Sequence, residues 1–147
     1  TSEIKPLTSD TAGVLFVLEP VRNDWGRRIP GEFQALNYFL CNRHILKISP
    51  GDPIRIRPHP SDPNGKYDEW IRLHAADGIS IDCSSSLAEA INTSRVVIGI
   101  QSYALIIAKF AGREVISALP PWAPPLALPQ DGIVQLRHIR PLVNLKP

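Results

Sequence analysis

The stretch from Asp82 to Gly112 leaves this chain few folds to choose from. It reads as a short helix, a strand, a sharp turn and a second helix. Val96 to Ile100 is a continuous apolar run, too short for a buried helix and rich in β-branched residues, which predicts a buried strand. Gly99 lets that strand end tightly. Gln101, Ser102 and Tyr103 then open a helix that is apolar almost all round (Ala104, Leu105, Ile106, Ile107, Ala108, Phe110, Ala111). Such a helix is expected to be packed on several sides. Its start, just past the carboxyl end of a parallel strand, falls on the edge where open α/β sheets bind ligands. Free backbone N–H groups and the positive dipole end suit that place to a phosphate or carboxylate.

The rest of the chain repeats the alternation. Strands are expected at 13–18, 54–57, 78–82, 95–100 and 114–118, with 132–136 as a sixth strand or an edge piece. Helices are expected at 32–48, 67–74, from Ser86 onward and at 101–111. Ser86 followed by Glu89 is a capping box, and Gly112 reads as a helix stop. The Ile-Arg-Ile-Arg of 54–57 fits either a strand with an exposed face or one nearer the sheet edge. Residues 142–145 are too short to assign. Strands alternating with helices imply an α/β, Rossmann-like three-layer sandwich with a parallel sheet of five to six strands. Residues 1–12 are polar and read as a linker, and 13–119 as the domain. Residues 120–147 form a proline-rich segment and tail packing on it, with Pro120, Pro121, Pro124, Pro125 and Pro129 stiffening the chain.

Composition narrows the function. A formal charge of +2 over 147 residues is too small to argue for nucleic acid, which asks for a concentrated basic face. No apolar run reaches the length of a membrane span. Cys41 and Cys83 lack the spacing of zinc ligands or of a disulfide framework. They are expected to be reduced and partly buried, as in a cytoplasmic protein. His44, His74 and His138 show no metal spacing, so neither metal nor cofactor is expected. The sequence contains no Met, so it reads as a piece of a longer chain. It also lacks GxGxxG, GxxxxGK[ST] and GxSxG, which removes the dinucleotide fingerprint, the P-loop and the nucleophile elbow.

His59 is the sharpest candidate. It lies between Pro58 and Pro60 at a strand end, where both prolines hold the backbone stiff. Its imidazole can donate a hydrogen bond to a phosphate oxygen. Ser102 is the second, as a first-turn residue whose hydroxyl and neighbouring amides can share an anion. The plain alternative is an N-cap worth about 1 kcal/mol. Asp82, Ser84 and Ser85 occupy a turn that could hold a base or ribose, or could simply be a polar loop. Arg22, Arg27 and Arg28 form a basic loop at the same edge, either solvated or touching phosphate.

These residues carry a resemblance. Arg57-Pro58-His59-Pro60 at a strand end, then Gln101-Ser102-Tyr103-Ala104-Leu105 and Ala111-Gly112-Arg113-Glu114-Val115, resemble the C-terminal half of GT-B glycosyltransferases. The likeness spans about residues 13 to 120 and is strongest to bacterial transferases that use CMP-activated sugars, the sialyl-, polysialyl- and Kdo transferases. It implies that His59, the one catalytic residue of this half, and Ser102 hold the phosphate of a CMP-sugar. Arg57, Gln101 and Tyr103 would stand beside them, and Asp82, Ser84 and Ser85 would touch cytidine or ribose. Tyr103 departs from the pattern, since a second serine is common there. The resemblance places the catalytic base in an N-terminal Rossmann half, on this or another chain. It further implies polysaccharide synthesis of the capsule or lipopolysaccharide type and peripheral membrane association of the full protein. A CDP-glycerol or UDP-sugar transferase or epimerase-like half is the near alternative. A non-catalytic module that binds a protein through residues 120–129 is the distant one.

Overall fold

The computed structural model describes residues 4–8, 11–128 and 132–140. Six strands form one sheet: β1 (Gly13–Val17), β2 (Ile54–Arg57), β3 (Ile79–Ile81), β4 (Ser94–Gly99), β5 (Glu114–Ser117) and β6 (Val134–Gln135). Their order is β3-β2-β1-β4-β5-β6, and every pairing is parallel. Four helices connect them: α1 (Gly31–Cys41), α2 (Asp68–His74), α3 (Leu87–Asn92) and α4 (Tyr103–Phe110). This is the Rossmann-like α/β arrangement that the alternation predicts.

Crossovers between parallel strands are right-handed. The chain steps one way from β1 to β3, then the other way from β3 to β6, so α1 and α2 cover one face and α3 and α4 the other. Contacts agree with this. Trp70 Nε1 of α2 donates to Asn37 Oδ1 of α1 at 2.9 Å, and the rings of Phe33 and Tyr67 lie 5.0 Å apart. Between the layers, Leu15, Phe16, Ile54, Ile56, Val97 and Ile98 are fully buried. Burying such a side chain stabilises the fold by roughly 1.5–3 kcal/mol. Gly99 ends β4 because nothing larger fits. A Cβ there would lie 2.9 Å from both Leu105 Cδ2 and Val17 Cγ2, so its absence brings α4 down onto the strand ends.

Several expectations are corrected. The apolar helix at 101–111 is not enclosed: only Leu105 and Ala108 of α4 are buried, while Tyr103 is 68% and Phe110 89% exposed. The first helix stops at Cys41 rather than Ile48. Asn42 leaves helical geometry at φ −120°, a 3₁₀ turn follows at Arg43–Leu46, and Lys47 closes it at φ 59°. Arg43 holds this corner by donating to the carbonyls of Asp77, Ser49 and Asp52. Both cysteines are exposed rather than partly buried. The capping box is half formed: Ser86 Oγ accepts from Glu89 N at 3.1 Å, but the Glu89 carboxylate turns to Ser85 instead.

The segments flanking the sheet lie against it. Lys5 N donates to Asn92 Oδ1, and Arg95 donates to the carbonyls of Thr8 and Thr11. Leu119 and, in the proline-rich segment, Ala123 and Leu126 are buried. Arg137 donates to the carbonyls of Pro120, Ala123 and Pro124. Pro129 and residues 142–145 lie outside the described residues.

Candidate functional site

The direction of the crossovers reverses between β1 and β4, and in sheets of this kind a crevice opens there, outside the carboxyl ends of the strands. A cavity of about 340 Å³ occupies the place. Val17 and Leu18 enter it from the end of β1, Arg57 and His59 from the end of β2, Leu87 from α3, and Ser102, Tyr103 and Ile107 from the start of α4. His59 and Ser102, 43 residues apart in sequence (102 minus 59), therefore line one cavity.

His59 is fixed by more than its prolines. Its N–H donates to Asp62 Oδ2 at 2.9 Å, and its carbonyl accepts from Asp62 N at 2.9 Å. Lys66 pins Asp62 in turn at 2.8 Å. The ring nitrogen Nδ1 accepts the Ser61 backbone N–H at 3.1 Å, with Ser61 Oγ 2.7 Å away. An accepting Nδ1 puts the proton of the neutral ring on Nε2, which is then a donor.

Ser102 occupies the N-cap position of α4, yet its hydroxyl caps nothing. Its Oγ is buried with no hydrogen-bond partner. Leaving a buried hydroxyl unpaired costs roughly 1–3 kcal/mol, and a turn of the Ser102 side chain toward the cavity would let it meet a polar atom of a ligand. Replacing Ser102 with Ala is expected to leave the domain equally stable or more stable by up to about 1 kcal/mol. The same change should weaken binding of a phosphorylated ligand by about fivefold to tenfold. Thermal melting and calorimetry on one sample measure both effects.

Asp82, Ser84 and Ser85 stand behind the cavity rather than in it. Asp82 ends β3 with its side chain buried, and its carboxylate pairs with Arg55 at 2.5 Å and Arg57 at 2.9 Å. Ser84 Oγ donates to Asp82 Oδ1 at 2.8 Å, and the Ser84 carbonyl accepts from Arg57 Nη1 at 3.0 Å. Ser85 turns its hydroxyl to Glu89. Asp82 and Ser84 thus orient Arg57, while Ser85 takes no part in that. The Ile-Arg-Ile-Arg pattern finds its reason here. Ile54 and Ile56 are buried on one face, and Arg55 and Arg57 on the other are held by Asp82. Two guanidinium groups on one carboxylate leave a net positive charge beside the cavity. Burial pushes the Asp82 carboxyl up, but the Ser84 hydrogen bond and the two arginines outweigh it and hold the group below its ordinary value.

Gln101 faces elsewhere. With Glu19 it lines a neighbouring cavity of about 450 Å³, and Gln101 N donates to Glu19 Oε1 at 2.6 Å. Burial raises the Glu19 carboxyl above its ordinary value, with Glu32 adding to that and the Gln101 N–H and His59 opposing it. Sequence reasoning missed Glu19. Its signal was position, since it follows β1 directly at the point where the strand order reverses.

Among the described residues no group of His, Cys, Asp and Glu has the geometry of a metal site, and no helix is long and apolar enough to cross a membrane. Fold and cavity together define a Rossmann-like α/β domain with a basic, partly apolar cavity at its switch point. Compared with known proteins, the chain matches no family model and no curated protein.

Proposed function

We propose that this domain is the donor-binding half of a GT-B glycosyltransferase, taking a nucleotide-activated sugar with CMP-sugars favoured. The observation that carries the reading is the meeting of His59, Ser102 and Arg57 at one cavity on the carboxyl edge of the sheet. One arginine, one imidazole N–H and one hydroxyl without a protein partner line this cavity, a set of donors suited to a phosphate. The apolar walls given by Val17, Leu18, Leu87 and Ile107 suit the flat body of a nucleoside.

In glycosyl transfer the bond from sugar to phosphate breaks, and negative charge grows on the departing phosphate. Donors fixed before the reaction stabilise that charge without reorganising. His59 is well placed for this, because its backbone is locked on both sides and by Asp62. The acceptor hydroxyl needs a base, which the proposal assigns to an N-terminal Rossmann half on this or another chain. Work on capsule or lipopolysaccharide chains at a membrane surface is part of the same proposal. The proline-rich segment is held by Arg137 and by Trp122 Nε1 donating to Gln34 Oε1 at 2.7 Å. It belongs to the fold, which disfavours the reading of a free peptide-docking arm.

Calorimetric titration with CMP, CDP, UDP and UDP-glucose tests the proposal. CMP should bind with the lowest Kd, and His59→Ala should raise that Kd about tenfold, the loss of about 1.4 kcal/mol. A folded domain that binds none of the four below several millimolar removes the donor-site reading. Tighter binding of UDP or CDP moves it to the related transferases.

A further inference from the structure

We infer that the cavity behind Glu19 is a second subsite, built to take the sugar of the ligand whose phosphate lies at His59 and Ser102. The inference rests on the proposed function and adds the place and chemistry of the group transferred.

The two cavities are lined by neighbouring residues of the same two strand ends. Leu18 and Ser102 line the first, while their chain neighbours Glu19 and Gln101 line the second. These are the ends of β1 and β4, tied together by Gln101 N donating to Glu19 Oε1 at 2.6 Å. A ligand whose phosphate lies at Ser102 would cross these strand ends to bring its second substituent to Glu19.

The second cavity has different chemistry from the first. It offers the Glu19 carboxylate and the side chains of Arg22, Asn23 and Gln101 as polar groups, with Trp25 and Pro125 as stiff apolar surfaces. A sugar ring presents hydroxyls at its rim and C–H groups on its faces. It is recognised by planar polar side chains around a flat apolar wall, because each hydroxyl can both donate and accept. Glu19 is the anchor, since one oxygen is spoken for by Gln101 N and its other oxygen has no protein partner among the described residues. Arg22 is exposed and has no side-chain partner among the described residues. Trp25 is held in place although its φ of 49° is unusual for a bulky residue. Its N–H donates to Asn23 Oδ1 at 2.7 Å, and Gly31 leaves room for the indole.

The test measures Kd for CMP and CMP-N-acetylneuraminate, and for UDP and UDP-glucose, on wild type, Glu19→Ala and Glu19→Gln. Glu19→Gln keeps an acceptor for the Gln101 N–H, so it guards against loss of fold, which thermal melting checks. For the nucleotide that binds, Glu19→Ala should weaken the sugar conjugate about tenfold and Glu19→Gln about threefold. The free nucleotide should change less than about twofold with either. Equal losses for conjugate and free nucleotide, or no loss for either, overturn the sugar subsite while leaving the donor-site proposal standing. Failure of wild type to bind any free nucleotide takes down both.

Discussion

Replacing Arg113 with alanine lowers the unfolding free energy by about 3–4 kcal/mol, enough to shift the melting temperature by about 10 °C. Arg113 is 2% exposed, and its side chain is among the largest that are fully buried. It faces no carboxylate. Nε donates to the carbonyls of Ser94 at 3.0 Å and Ile91 at 3.3 Å, and Nη1 to those of Ala111 at 2.7 Å and Lys5 at 2.8 Å. One guanidinium thus closes the end of α3, the start of β4, the exit from α4 and the segment before β1. Truncation leaves a void and several carbonyls without donors. Burial also lowers the pKa of this arginine, because the charged form has lost water. Arg113→Met separates the causes. It fills the volume and removes the buried charge, so it should recover about half of the loss. Full recovery would mean that the carbonyl bonds contribute nothing, and no recovery that packing contributes nothing. Chemical denaturation measures both variants.

Asp82→Asn has the second largest effect, about 2–4 kcal/mol, and reaches the site as well. The amide cannot neutralise Arg55 and Arg57, which are partly buried beside it. Freed from its anchor, Arg57 no longer holds its place in the cavity wall, and nucleotide binding should weaken about fivefold with it. The pH dependence carries the sign. The folded carboxyl titrates below its unfolded value of about 3.9, so between the two the unfolded state binds more protons. The stabilisation is fully present above about pH 5 and is lost as pH falls through the folded pKa. Acid unfolding curves of wild type and Asp82→Asn should therefore draw together as pH falls below about 5, meet only below the folded pKa, and differ most near neutrality. Curves a constant distance apart at all pH values would show that the carboxylate charge is not what stabilises.

Much of the sheet was legible because parallel strands are buried on both faces and announce themselves as apolar runs. Ile54–Arg57 lies where the sequence placed it, and the other strands differ by a few residues at their ends. His59 was legible because two prolines mark it, and Ser102 because it follows a buried strand. What the sequence could not convey was partnership. Nothing local says that Asp82 binds two arginines across the sheet rather than a ribose, or that Glu89 turns to Ser85 instead of completing the capping box. The exposure of Phe110 was hidden for a similar reason: a helix apolar on every side looks enclosed until its neighbours are counted. Glu19 stayed unseen because a lone glutamate before a proline has no pattern, and its meaning comes only from strand order.

The central claim is that one phosphate lies between the ring of His59 and the first turn of α4. The most direct measurement is the set of ¹H–¹⁵N spectra of the labelled domain, imidazole nitrogens included, as CMP is added. The account predicts saturable shifts in the His59 Nε2 resonance and in the amides of Ser102, Tyr103 and Ala104, all following one binding curve. Saturable shifts that leave these resonances still and move others on the far edge of the sheet would contradict it.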